Sequence, residues 1–174
     1  QRESVDAIFR SALRLQDYVA QLRAMTGSEA ALSREKERVS LPALAEGWRE
    51  VGQSLCGAKP AAFRCPDVPK LELAVYRGDL DRAVSNLLDN AAKFAAPGTA
   101  IAVTITTKGT KAYISVKNQG ETIPPDELNM IFDRFHKSDR SRSIDKEGVG
   151  LGLYIVKTIL EQHHEHIAVT SENG

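Results

Sequence analysis

The stretch NLLDNAAKF, residues 86–94, puts two carboxamides and a cation on one face of a helix. Arg82, Asn86, Asn90 and Lys93 follow one another at spacings of four, four and three, so their side chains stand one above another. Asparagine is a mediocre helix former, and a pair of them asks for a reason beyond propensity. An amide oxygen can ligate Mg²⁺ without adding charge, and a lysine is a point charge suited to a phosphate. Such a face suits a metal–phosphate group. Its plainer reading is a solvated helix surface.

Three further stretches carry polar or glycine-rich signals. In KNQGETIPP, residues 117–125, a strand ends, Asn118 follows, and then Gly120, which lets backbone approach a flat ligand. The Asn118 side-chain oxygen can accept from an adenine amino group, and Ile123 can pack on the ring; the plainer reading is a turn. In EGVGLGLYIVKTIL, residues 147–160, Gly148, Gly150 and Gly152 lead with Leu151 into an apolar helix. Crowded main-chain amides and a helix start favour an anion there, and a ligand-free hinge loop is the alternative. In MIFDRFHKSDRSRSIDKEG, residues 130–148, two phenylalanines anchor a segment whose Lys137, Arg140 and Arg142 can reach phosphates from above. Charge runs are usually solvated, but this one lies between a hydrophobic anchor and a glycine hinge, which fits a lid.

Behind these stretches lie the elements that must position them. Asp79 is expected to cap the helix bearing the amides. AIAVTITTKGTKAYISVKN reads as a hairpin about Gly109. A short helix is expected near 126–132, a last helix over 151–162, and a last strand at HIAVTS. Upstream, LPALAEGWREVGQSLCG reads as a helix from about Pro42. AAFRC and LELAVY read as short strands around the turn-rich PDVPK. Residues 28–40 are charged and weakly patterned, a linker. Before them Val5, Ile8, Ala12, Leu15, Val19 and Leu22 form a strict heptad seam, as in a helical bundle, so residues 1–27 read as a long helix. Helices and strands mix without regular βαβ alternation, which favours an α+β two-layer sandwich preceded by one long helix.

The totals narrow the function classes. Equal numbers of acidic and basic residues, 23 each, remove any global electrostatic case for nucleic acid or membrane contact. The two cysteines, Cys56 and Cys65, lack metal spacing and read as reduced thiols of a cytosolic setting. No run approaches the roughly 18 apolar residues that a transmembrane helix requires. The abrupt start and stop are read as those of a piece of a longer chain.

Taken in order, these four stretches resemble the catalytic ATP-binding domain of bacterial sensor histidine kinases, in the ATPase superfamily shared with gyrase, mismatch-repair ATPases and heat-shock chaperones. NLLDNAAKF is similar to the N box, NQGETI to the first glycine box, FDRFHKSDRSR to the F box and GVGLGL to the second glycine box. The resemblance covers residues from about 38 to the end, and it implies a Bergerat-type fold over 41–174. It implies Asn90 as the Mg²⁺ ligand, with Asn86 on the same wall and Lys93 on the phosphates. Asn86, Lys93 and Lys137 are the expected catalytic positions, and Asn118 the adenine reader. Gly120 and Ile123 would line the base, and Arg140, Gly148, Gly150, Leu151 and Gly152 the phosphates. The helix at 1–27 resembles the second helix of the dimerization hairpin. The implied substrate is ATP with Mg²⁺, and the implied partners are a response-regulator receiver domain and a second copy. The fragment is expected in the cytoplasm, with its parent anchored in the membrane.

The sequence also departs from the pattern. Asn118 stands where aspartate is usual, Phe94 and His136 where tyrosine is frequent, and Lys137 where arginine is common. Phe94 and His136 lose a hydroxyl, and Lys137 loses bidentate geometry. His163-His164-Glu165 replaces His-Gly-Gly, removing an easy left-handed cap. A metal site at His163, His164 and His166 is disfavoured, because adjacent side chains diverge. The family's last strand, after a glycine-rich turn, is expected to be missing beyond Gly174. The family's phosphoacceptor histidine lies on the first hairpin helix, and no histidine here precedes His136. This chain alone is therefore expected to bind ATP without autophosphorylating. Two other classes share the signals: an anti-sigma-factor serine kinase and a non-catalytic nucleotide-sensing dimerization scaffold.

Overall fold

The computed structural model describes residues 35–57, 62–137 and 150–172. The chain divides into two units, Gln1–Arg34 and Glu35–Gly174, and every described residue belongs to the second. The helix expected at 1–27 lies outside the described residues.

Two small sheets and three helices are described in this unit. Strand β1 (Glu37–Ser40) pairs antiparallel with β3 (Glu72–Val75). Residues 37–40 therefore belong to a sheet and not to a linker. The single apolar residue Val39 explains this: it is buried in the core while its neighbours face solvent. Strand β2 (Ala62–Arg64) runs parallel to β4 (Ala100–Lys108), which pairs antiparallel with β5 (Lys111–Lys117). The β4–β5 turn is the two-residue loop Gly109-Thr110, with φ +60° at Gly109. A glycine with positive φ followed by an ordinary residue is the type II′ arrangement that matches strand twist.

Helices α1 (Leu41–Gly57), α2 (Arg77–Phe94) and α3 (Gly152–Gln162) form the second layer. Leu41, Leu44 and Trp48 of α1 meet Val84 and Leu88 of α2 in one cluster with Val103 and Ile105 of β4. Along β4 the buried Ile101, Val103 and Ile105 alternate with outward residues, the period expected of a half-buried strand. Each such side chain contributes roughly 1.5–3 kcal/mol on burial. The Trp48 indole N–H donates to Asp81 Oδ1 at 2.9 Å, so the buried ring leaves no unsatisfied donor.

Three local expectations fail. Helix α2 begins at Arg77 with Tyr76 as N-cap and no side-chain cap; Asp79 sits inside the first turn, where a carboxylate still favours the helix dipole. Residues 125–135 form successive turns instead of a helix, with Leu128 N–H on Pro124 O and Met130 N–H on Glu127 O. Pro124 and Pro125 supply no N–H, and mixed i+3 and i+4 bonds do not propagate. HIAVTS alternates in burial like a strand but joins no ladder among the described residues. Side-chain contacts lie at its two ends: Lys111 Nζ is 2.9 Å from Oε2 of Glu165, the residue before it, and Ile123 N–H donates to Ser171 Oγ at 2.8 Å.

Candidate functional site

Helix α2 holds the polar face that the sequence picked out. Leu80, Ala83, Val84, Leu88, Ala91 and Ala92 are its buried side, and Asn86, Asn90 and Lys93 are half-buried beside it. The buried side fixes the helix rotation, so the amides are presented at its border. Asn86 Nδ2 is buried without a hydrogen-bond partner among the described residues. A buried donor left unsatisfied costs about 1–3 kcal/mol, which makes this an unfinished site. Lys93 is engaged within the helix: its Nζ lies 2.7 Å from Asp89 Oδ2, one turn earlier. Asp89 was not among the residues singled out from sequence, although its i,i+4 spacing to a lysine is a recognised pairing signal.

Helix α3 packs against α2 and begins at Gly152, with the buried Leu151 before it. Among the described residues, a Cβ added at Gly152 would have nothing within 4 Å. A helix start has N–H groups with no intrahelical partner, which favours an anion beside it. Gly150 differs. Its φ is +74°, and an added Cβ would lie 2.6 Å from His136 O. Phe135, itself at φ +60°, donates its N–H to Gly150 O at 3.0 Å. Residues 135–136 and 150 thus hold together the chain on either side of residues 138–149. Gly148 and Arg140 lie outside the described residues. Lys137, at the edge of this neck, is half-buried, and the neighbouring His136 Nε2 is buried without a partner among the described residues. Arg134 stacks over the Tyr154 ring, 4.6 Å from its centroid, and donates to its hydroxyl. That hydrogen bond pulls the Tyr154 phenol below its ordinary pKa.

Asn118 is half-buried at the end of β5. The glycine two residues later answers a need within the fold. A Cβ at Gly120 would fall 2.2 Å from Phe94 O, so the glycine is required by close approach to the end of α2. The bond from Ala96 N–H to Gln119 O, 2.7 Å, belongs to the same seam. It ties the Asn118 loop to the helix that carries Asn86 and Asn90.

At the other end of these helices, His163 bridges α3 and α2. Tyr76 N–H donates to His163 Nε2 at 3.3 Å, His163 Nδ1 lies 2.8 Å from Ile159 O, and the rings meet edge to face at 5.1 Å. With both nitrogens engaged, His163 is a structural bridge. His164 then takes φ +59°. Its N–H bonds to Glu161 O and that of Glu165 to Leu160 O, a complete Schellman cap built without glycine.

The residue set fits Mg²⁺ held with phosphates. The described residues contain no cluster of three or more His, Cys, Asp or Glu that would make an all-protein cage. Mg²⁺ commonly uses few protein ligands and completes its octahedron with phosphate oxygens and water. The half-buried amides of Asn86 and Asn90 and the space at Gly152 are consistent with that sharing.

A family described as histidine kinase-, DNA gyrase B-, and HSP90-like ATPases matches residues 76–174, from the N-cap of α2 onward. The chain belongs to this ATPase family. Sensor protein SrrB of Staphylococcus aureus is 41% identical over 95 residues, 55% of this chain and 16% of that protein. The chain thus spans about one sixth of the length of the curated relatives it matches. Among solved structures, the mycobacterial sensor histidine kinase MprB is 30% identical with a TM-score of 0.62, covering 74% of this chain and 80% of that one. The catalytic domain of histidine kinase ThkA, at 24% identity and a TM-score of 0.64, shares the fold over 74% of this chain and 82% of that one. The α+β sandwich of this chain is accordingly that of histidine kinase catalytic domains. Among the described residues no helix is long and apolar enough to cross a membrane.

Proposed function

We propose that this chain is the ATP-binding phosphoryl-transfer module of a two-component sensor histidine kinase. The observation that carries the reading is that the family match over 76–174 takes in both the amide face of α2 and the open glycine start of α3, on two helices that pack together. ATP is the substrate, and a histidine on a separate hairpin helix is the acceptor. Residues 1–27 are the second helix of that hairpin and the dimer contact, and the catalytic domain comprises Glu35–Gly174, β1 included. A receiver-domain aspartate of a response regulator takes the phosphoryl group onward. The parent protein is membrane-anchored, and this portion works in the cytoplasm.

The residues divide the work by chemistry. Asn90 supplies a neutral oxygen to Mg²⁺, and Asn86 lends its unsatisfied amide to the same wall. Bound Mg²⁺ neutralises charge on the triphosphate. Lys93 and Lys137 offset the remaining negative charge, and Arg140 extends that field. Asn118 reads the base through one amide, with Ile123 beside it, while Gly120 keeps their loop seated on Phe94. The amides around Gly148, Gly150, Leu151 and Gly152 receive the phosphate tail at the start of α3. Phosphoryl transfer asks little covalent chemistry of the protein, so positioning and charge stabilisation supply the rate.

Calorimetric titration with ATP and magnesium tests this reading. Asn90→Ala is expected to weaken magnesium-dependent binding about tenfold or more, which is about 1.4 kcal/mol. Unchanged affinity removes the metal role. Mixing the chain with ATP and a separate histidine-bearing hairpin is expected to label that histidine. Bound ATP with no label points instead to a nucleotide sensor without transfer.

A further inference from the structure

Two donors on one face of α2 stand in opposite conditions. Among the described residues Asn86 Nδ2 is buried with no acceptor, while Lys93 Nζ has a carboxylate oxygen of Asp89 at 2.7 Å. Asp89 follows Asn86 by three residues and precedes Lys93 by four, so all three share one helical stripe. The separation is that of a charge-assisted hydrogen bond, the same contact a phosphate oxygen would make with the ammonium. Asp89 therefore does in the protein what a ligand oxyanion does at that lysine. Both side chains are partly exposed, 47% for Asp89 and 36% for Lys93, so water screens the pair.

We infer that Asp89 sets the charge specificity of this site, favouring a magnesium-complexed nucleoside triphosphate over the free polyanion. The inference rests on the nucleotide reading proposed above. An arriving triphosphate must share or displace the carboxylate at Lys93, and the displaced carboxylate repels every uncompensated phosphate charge near it. Magnesium cancels part of the nucleotide's charge, so the complex meets less of that repulsion than free ATP does. Asp89 touches neither metal nor phosphate in this scheme; it is a positioning residue acting through Lys93 and through its own field.

The test is calorimetry of wild type, Asp89→Asn and Asp89→Glu, each titrated with ATP in excess magnesium and with ATP in excess chelator. Asp89→Asn is expected to bind free ATP about threefold more tightly, with under a twofold change for the magnesium complex, in keeping with a screened pair. The preference for the complex then falls about twofold, and the change shrinks as salt is raised. Asp89→Glu, which keeps the charge, is expected to keep the wild-type preference. A purely structural role for Asp89 would move both affinities together. Parallel shifts, or an unchanged preference in Asp89→Asn, overturn the inference while leaving ATP binding intact. Failure of the wild type to bind ATP under either condition overturns the nucleotide reading itself.

Discussion

Replacing Gly120 by alanine tests the seam between the Asn118 loop and α2. The new methyl would lie 2.2 Å from Phe94 O and 3.3 Å from Phe94 C, where real side chains keep at least 3.0 Å. The opposing atoms are backbone, one side fixed by the last turn of α2 and the other by the end of β5. Neither can rotate away, so about 0.8 Å of separation must open between them. Overpacking of this kind costs about 1–3 kcal/mol. The same movement stretches the 2.7 Å bond from Ala96 N–H to Gln119 O, a further loss of about 1 kcal/mol. The sum, about 2–4 kcal/mol, is a large part of the 5–15 kcal/mol typical of a domain. Urea unfolding reads it as a lower midpoint at unchanged slope. Gly78→Ala is the control. It lies in α2, its added Cβ meets nothing within 4 Å, and it is expected to gain roughly 0.5–1 kcal/mol. A Gly120→Ala midpoint within about 0.5 kcal/mol of wild type would refute the steric reasoning.

Two further predictions concern the end of α3. His164 occupies the left-handed position of its cap at φ +59°, which costs a side-chain-bearing residue about 1–2 kcal/mol. His164→Gly is expected to raise stability by about 1 kcal/mol, read as a higher melting temperature; a lower one would mean that the side chain contributes more than the strain removes. Lys111 holds the Glu165 carboxyl below its ordinary value of 4.5, chiefly through their hydrogen bond. A carboxylate whose folded pKa is depressed adds stability above the unfolded value and loses it as pH falls through the folded one. The wild type should therefore lose slightly more stability than Lys111→Ala between about pH 5 and pH 3, an effect kept small by solvent screening. Equal acid sensitivity of the two proteins in denaturant titrations would show the pair to be inert.

Much of this architecture is legible in the residues because burial imposes periodicity. The apolar stripe of α2 marks out the amide face, and the Gly109 turn between alternating runs marks out the β4–β5 hairpin. Spacing fails where a residue's reason lies across the fold. At Gly120 spacing does not reveal the close approach to Phe94 O, 26 positions earlier. Val39 looks like part of a charged linker because one apolar residue makes no pattern; its partner strand lies more than 30 residues on. His163-His164-Glu165 looks like a damaged cap, and the backbone adopts the left-handed turn regardless. The Lys93–Asp89 pair stands in plain view at i,i+4 but is masked by the asparagines on either side of Asp89.

Trp48 is the only tryptophan in the sequence, and it is almost wholly buried with its N–H on Asp81 of α2. The protein consequently carries an intrinsic optical probe at the junction between α1 and the helix bearing the amides. Its emission should be blue-shifted in the folded state and move to the red when that junction opens. Fluorescence can follow this one contact without a label, and comparing its unfolding curve with circular dichroism tells whether α1 and α2 separate together with the sheet or ahead of it.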